Sequence, residues 1–151
     1  MDTTAVKVRN LIIGGVSIPY QKGLLGHSDA DVLIHAIMDS LLGALSLDDI
    51  GTLFPDTDDR FKDIDSAILL KRVYDKVQQE GYWISNIDCN VIAQAPKLAP
   101  YIAEMKETLA PLLGLETTDI SIKAKTKEEL DAVGQFLAIE AQAVVMLERI
   151  D

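Results

Sequence analysis

This chain is short of the residues that mark several classes of protein. It holds one cysteine, Cys89, which excludes an internal disulfide and fits a reducing compartment. Its 14 Lys and Arg stand against 24 Asp and Glu, a net charge of -10. Long-range repulsion therefore argues against a nucleic-acid backbone or an anionic membrane as the main partner. No apolar run approaches the roughly 20 residues of a membrane span. The opening Met1-Asp2-Thr3-Thr4 has neither the basic start nor the apolar stretch of a signal peptide. Ser/Gly-rich linkers, low-complexity tracts and internal repeats are also missing, so one domain over residues 1–151 is expected. What is present, 48% hydrophobic and 25% charged residues in 151, is the composition of a soluble intracellular globular domain. An anionic small substrate stays compatible with it, provided local lysines, backbone amides or a metal hold the ligand.

The hydrophobic pattern predicts the elements. Val6 to Ile13 reads as a strand that turns at Gly14-Gly15 into a short strand through Val16 and Ile18. Residues 20–28 form a loop, and Ser28 with Asp31 reads as the N-cap and acidic first turn of a helix. That helix carries Ile34, Ile37, Met38, Leu41, Leu42 and Leu45 on one face and ends near Ser46. Residues 48–65 hold seven of the acids and read as a long loop. Asp65-Ser66 caps a second helix with Leu70, Val73, Tyr74 and Val77 inward and Gly81 past its end. Ile87 to Ala93 alternates as a strand and stops at Ala95-Pro96, because proline has no N–H for a ladder. A third helix spans about 100–113, a strand runs from Ile120 to Lys125, a short turn and loop cover 127–135, and 136–148 is the last strand. Trp83 and Met146 read as core or interface residues. The order implies an α+β sandwich of a mixed sheet with helices on one face.

Chemistry-bearing groups are few. His35 has Asp31 four residues before it and Asp39 four after, so the three share one helix flank. The stripe suits a metal-binding imidazole steadied by carboxylates, and equally a solvated histidine on an amphipathic helix. His27, before the helix, either donates to an anion at the helix N-terminus or is an ordinary loop residue. Lys123, Lys125, Thr126, Lys127 and Glu128 cluster at a strand end. Lysines and a hydroxyl suit phosphate, and the carboxylate suits a bridging Mg²⁺; a solvated basic turn fits the same residues. The turn Ala93-Gln94-Ala95-Pro96-Lys97 presents small residues and backbone amides to a flat base edge.

Taken together these stretches resemble the 2-C-methyl-D-erythritol 2,4-cyclodiphosphate synthase family of non-mevalonate isoprenoid biosynthesis. The matching residues are Ile12-Ile13-Gly14-Gly15-Val16, Ile18-Pro19-Tyr20, Lys22 to Val32 with its Gly-His27-Ser28-Asp-Ala-Asp run, and His35. They continue in Asp49-Ile50-Gly51, Leu53-Phe54-Pro55-Asp56-Thr57-Asp58 and Ile92-Ala93-Gln94-Ala95-Pro96-Lys97. The resemblance implies a homotrimer with active sites between neighbouring subunits and a phosphorus-oxygen lyase reaction. In it the 2-phosphate of 4-diphosphocytidyl-2-C-methyl-D-erythritol 2-phosphate attacks the β-phosphorus and releases CMP. It further implies two divalent ions, commonly zinc together with Mg²⁺ or Mn²⁺, and a cytoplasmic enzyme, or one of the plastid or organelle stroma if a transit peptide was removed.

By position, the resemblance makes His35 a zinc ligand with Asp2, and sets His27 and Ser28 against the substrate phosphate. Asp49, Ile50 and Gly51 would lie on the methylerythritol portion, beside the loop Phe54, Pro55, Asp56, Thr57 and Asp58. Ala93, Gln94, Ala95, Pro96, Lys97, Leu98 and Ala99 would form the cytosine pocket. Lys125, Thr126 and Lys127 would line the phosphates, Thr126 as a catalytic group with His27, and Glu128 would hold the bridging ion. Three departures stand out. The family's Gly-Phe-Asp-x-His stretch is replaced by Met1-Asp2-Thr3-Thr4, with a threonine in the histidine's place, so weaker zinc binding is expected. In the Thr-Thr-Thr-Glu-Lys-Leu-Gly-Phe-Thr-Gly-Arg stretch the phenylalanine is Ala132 and the arginine Gln135, and the Glu-Gly-Ile-Ala pattern is blurred around Leu137-Ala138-Ile139. Two rival functions therefore stand beside the enzyme. One is a catalytically impaired paralogue or altered chain that keeps the trimer and cytidine pocket. The other is a trimeric interaction module whose acidic loop 48–65 binds a cationic partner.

Overall fold

The structure, a computed structural model, describes residues 11–20, 31–53, 65–126, 128, 130 and 138–151. It opens with a hairpin of β1 (Leu11–Ile13) and β2 (Val16–Ile18), paired Ile13 to Val16. The turn between them needs positive φ at both central residues, and Gly14 and Gly15 supply 61° and 76°. Leu11, Ile13, Val16 and Ile18 are buried on one side of the ribbon.

Helix α1 (Val32–Ala44) buries Leu33, Ile34, Ile37, Met38, Leu41 and Leu42. Its N-cap is Asp31, not Ser28, and Ser28 itself lies outside the described residues. The sequence pattern placed the cap too early because both residue types cap helices well. The acidic stretch expected to be all loop contains a one-turn helix, α2 (Ile50–Leu53). Helix α3 (Ser66–Gln79) starts at the expected cap, where Asp65 Oδ1 accepts from the Ala67 N–H at 2.9 Å. Gly81, at φ 91°, turns the chain directly into β3 (Tyr82–Ile92). This strand begins five residues before the Ile87 alternation, because a register irregularity between Ile84 and Asn86 breaks the period there. After a 3₁₀ turn at Ala99–Tyr101 comes α4 (Ile102–Leu112), which buries Met105, Leu109 and Ala110. Strands β4 (Ile120–Lys125) and β5 (Glu140–Arg149) complete the set. The last strand therefore starts later than the expected residue 136, with Ala138 and Ile139 outside it.

The larger sheet has the order β4-β3-β5, with β4 parallel and β5 antiparallel to β3. Helix α4 provides the long crossover that a parallel pair requires. The architecture is the expected mixed α+β, with helices against one sheet face. Ile87, Cys89, Val91, Ile120 and Ile122 point into that core, and Ala141, Ala143, Val145 and Leu147 pack against it. Residues in between emerge on the opposite face, where Val144 is 71% and Met146 60% exposed. Trp83, at 47%, is exposed too, so neither it nor Met146 belongs to this chain's core. The Trp83 indole N–H donates to Glu148 Oε2 at 3.0 Å, a bond that draws the Glu148 carboxyl below its ordinary range. Among the described residues no helix is long and apolar enough to cross a membrane.

Two features of the core make predictions. Gly114 sits at φ 65° with its missing Cβ aimed at the Tyr74 hydroxyl. Gly114→Ala should cost about 1–3 kcal/mol in urea unfolding through backbone strain and collision. Tyr74→Phe in that background should restore part of the loss. Cys89 is fully buried, and burial first, then the neighbouring Asp88 charge, pushes its thiol from 9.0 to about 12. Iodoacetamide should leave the native thiol intact and label it promptly in urea. Because the folded state holds this proton to higher pH than the unfolded chain does, stability should decline as pH rises through and above 9.0. Cys89→Ala should flatten that decline.

Candidate active site

One group of candidate residues is assembled around the start of α1. The Asp31 carboxylate is completely buried. It accepts from the Gly14 N–H at 3.0 Å and the Ile34 N–H at 3.0 Å through Oδ1, and from the Gly15 N–H at 2.7 Å through Oδ2. A helix leaves its first N–H groups without intrahelical partners, and this carboxylate serves one of them together with two turn amides. His35 follows in the first turn, its N–H bonded to the Asp31 carbonyl at 3.0 Å. Its imidazole Nε2 lies 3.2 Å from Ser66 Oγ, and Ser66, the first residue of α3, is fully buried. The expected flank of two carboxylates thus gives way to a different arrangement. Asp31 is turned onto the hairpin, Asp39 Oδ1 accepts from the Ile50 N–H at 3.2 Å, and a hydroxyl meets the ring. The spacing did not foresee that Asp31 is the buried N-cap ahead of the helix while Asp39 is exposed within it, and each carboxylate is drawn to a backbone amide of another segment.

The Asp39 contact holds α2 beside the middle of α1. There Asp49 Oδ1 accepts from the Thr52 N–H at 2.9 Å and the Thr52 hydroxyl at 3.0 Å. Those two bonds, the backbone one first, draw its carboxyl below the ordinary range. Asp49 and Gly51 are exposed and Ile50 is half-buried.

A second group lies at the ends of β3 and β4. Their parallel register sets Ile92 against Lys125, and the Ala93 N–H donates to the Lys125 carbonyl at 2.9 Å. The turn Ala93–Ala99 therefore leaves the sheet directly beside Thr126. Leu98, buried at 4% exposure, anchors the turn in the core, while Lys97 and Ala99 are exposed. The Ala95–Pro96 peptide is cis. Thr126 Oγ1 accepts from the Glu128 N–H at 3.5 Å, and Glu128 adopts φ 54°. Lys125, Thr126 and Glu128 all face solvent. Lys123 does not join them: it pairs with Asp88 across the exposed sheet face and draws that carboxyl below its ordinary range. Strand alternation sends it to the same side as Lys125, but the Asp88 carboxylate takes up its charge.

His27, Ser28, Phe54, Pro55, Asp56, Thr57, Asp58, Lys127 and Asp2 lie outside the described residues. Among the described residues no three His, Cys, Asp or Glu side chains come together as a metal site. His35 nevertheless has the form of a single metal donor: a half-buried imidazole with one nitrogen engaged by a neighbouring polar group. A site of three or more such donors around it would have to include a residue outside the described ones, where Asp2 lies. Ser66 and the clamp at Asp31 were not legible as site-supporting groups, since in sequence each looks like an ordinary capping residue.

A mixed sheet backed by helices, with a polar cluster at parallel strand ends and a histidine on a capped helix, defines the class as an α+β scaffold. The sequence model of the YgbB family matches residues 1–148, and the chain belongs to that family. A Geobacillus kaustophilus protein named 2-C-methyl-D-erythritol 2,4-cyclodiphosphate synthase is 58% identical over 144 residues, covering 95% of this chain and 91% of the relative. An Enterococcus faecalis protein of the same name is 55% identical over 144 residues, covering 95% and 92%. Among solved structures, the bifunctional IspDF of Campylobacter jejuni superposes with a TM-score of 0.90 at 43% identity, over 95% of this chain and 39% of that longer one. A CDP complex of Plasmodium falciparum IspF superposes with a TM-score of 0.83 at 38% identity, over 94% of this chain and 85% of the other.

The clamp at Asp31 is directly testable. Asp31→Asn keeps the shape but sets an amide N–H₂ against backbone donors, so unfolding in urea should show a loss of about 2–3 kcal/mol. A loss below about 0.5 kcal/mol would mean that the hairpin and helix hold together without it.

Proposed function

We propose that this chain cyclises 4-diphosphocytidyl-2-C-methyl-D-erythritol 2-phosphate to 2-C-methyl-D-erythritol 2,4-cyclodiphosphate with release of CMP. The observation that carries the reading is 55–58% identity over 144 residues to relatives bearing that name, covering more than nine-tenths of each. The CDP complex among the similar structures supports a cytidine-bearing ligand.

In the reaction an oxygen of the 2-phosphate forms a bond to the β-phosphorus. The bond from that phosphorus to its bridging oxygen breaks, and the oxygen leaves on CMP with the electron pair. Little covalent work falls to side chains, so positioning and charge neutralisation dominate. The backbone of Ala93–Ala99 would hold the cytosine, with the Leu98 anchor limiting its movement. Thr126, one residue beyond the ladder, would steady the transferred phosphoryl group with its hydroxyl, flanked by Lys125 and Lys127. Asp49, Ile50 and Gly51 would hold the methylerythritol portion, with Phe54–Asp58 beside them and His27 and Ser28 on the phosphate. Glu128 would hold an Mg²⁺ or Mn²⁺ ion, and His35 with Asp2 a zinc ion. Bound there, the ions would neutralise phosphate charge and orient the reacting oxygens.

The reading includes a homotrimer built from one domain of residues 1–151, with sites between neighbouring subunits. Val144, Met146 and Trp83 support it, as large exposed apolar groups on a sheet face that none of the described helices covers. A cytoplasmic or stromal location goes with this reading. The impaired-paralogue alternative draws on Gln135 in the arginine's place and the threonine in the histidine's place.

CMP release from the substrate, with Zn²⁺ and Mg²⁺ supplied, tests the proposal. The wild type should yield CMP and the cyclic diphosphate. Glu128→Gln should lower kcat by on the order of 10²-fold while leaving CMP binding by calorimetry unchanged. CMP binding without release by the wild type would establish the impaired paralogue instead.

A further inference from the structure

The outer face of the larger sheet carries an ion pair inside an apolar patch. Val144 and Met146 on β5 are exposed there, as is Trp83 near the start of β3. The ladder sets Asp88 of β3 opposite Val144 on one side and opposite Ser121 of β4 on the other. Lys123, two residues further along β4, is bonded to the Asp88 carboxylate and donates to Ser121 Oγ at 3.4 Å. Neighbouring strands lie about 4.8 Å apart, so a body that covers Val144 also covers this pair. The Asp88 and Lys123 side chains are 55% and 44% exposed, and both would lose water to it.

Charge selects what that body is. At a net charge of -10 the chain repels copies of itself on most approaches. The strands of this face are close to balanced, with Lys123 and Lys125 against Asp88, Glu140 and Glu148. Glu148 is moreover bonded to the Trp83 N–H. An identical face brings apolar groups and no excess of one sign, which fits a second copy of this chain.

We infer that the Asp88–Lys123 pair is the charge match through which copies of this chain associate by the outer sheet face, each side chain neutralising the other as Val144, Met146 and Trp83 leave water. The inference deepens the proposed function, since it rests on the homotrimer there. In the single chain an exposed pair of this kind is worth little. Once covered, loss of one partner leaves the other charge desolvated and unpaired, whereas loss of both leaves a neutral contact. That asymmetry distinguishes an interface pair from an ordinary surface pair.

Sedimentation equilibrium of the full chain over a dilution series reads association. Trp83 is the sole tryptophan, so acrylamide quenching of its fluorescence reads the face itself. Wild type should be a trimer with a shielded tryptophan. Asp88→Asn and Lys123→Met should each weaken association by on the order of 10²-fold, with the circular dichroism of the diluted chain unchanged. Dilution of either variant to the monomer should expose the tryptophan. The double variant should recover most of the lost association; should Asp88→Asn not fold, Lys123→Met against the double variant decides. Single variants that associate as tightly as wild type, a double variant no better than either single one, or quenching that does not follow dissociation would each overturn the inference and leave a homotrimer built on another face. A wild type that stays monomeric would defeat the homotrimer reading and the inference together.

Discussion

The buried carboxylate of Asp31 is the contact on which the site-bearing part of the fold depends. An ionised carboxylate without exposure is strongly unfavourable unless hydrogen bonds replace its water. Here three backbone N–H groups do so, from Gly14, Gly15 and Ile34. Those amides would otherwise be left over at a tight turn and at a helix start. The hairpin and α1 therefore satisfy each other through one side chain. The turn is also pressed against α4: a Cβ on Gly14 would come 2.9 Å from Met105 Cγ, and one on Gly15 2.7 Å from Thr108 Cγ2. Asp31 thus sets the helix that carries His35, and through the turn it sets the helix that follows the Ala93–Ala99 segment.

The larger sheet organises the other half of the chemistry by register. Parallel pairing of β3 and β4 brings their two exits to one place, so Ala93 and Thr126 begin as neighbours although far apart in sequence. The antiparallel β5, with Glu140 opposite Ile92, starts at the same end. The sheet separates its tasks by face. The inner face is apolar core, and the outer face carries the Asp88–Lys123 pair and the Trp83–Glu148 bond among exposed Val144 and Met146. The exposed ion pair contributes little to stability. Its larger effect is to withdraw Lys123 from the strand-end cluster and leave Lys125, Thr126 and Glu128 as its described polar groups.

Much of this was legible in the chain. Period-two and helical alternation, the glycine pair and the Asp65-Ser66 cap determine the hairpin, the three longer helices and the strands, and with them the α+β class. These are local signals, carried by which side of a short segment is apolar and which backbone angles a residue permits. Motif order and spacing likewise pointed to the family, and the expected roles of His35, Thr126, Glu128 and the Ala93–Ala99 turn came from that resemblance, since spacing alone fits ordinary solvated residues equally well. The partners of the polar side chains were decided only in three dimensions. Periodicity tells which face of α1 is buried, but it is silent on what lies opposite. Asp31 reaches amides of a turn far upstream, His35 meets a hydroxyl on another helix, and Lys123 meets an acid on another strand. A polar group's partner is set by how helices and strands pack, and that packing depends on contacts between residues distant in the chain.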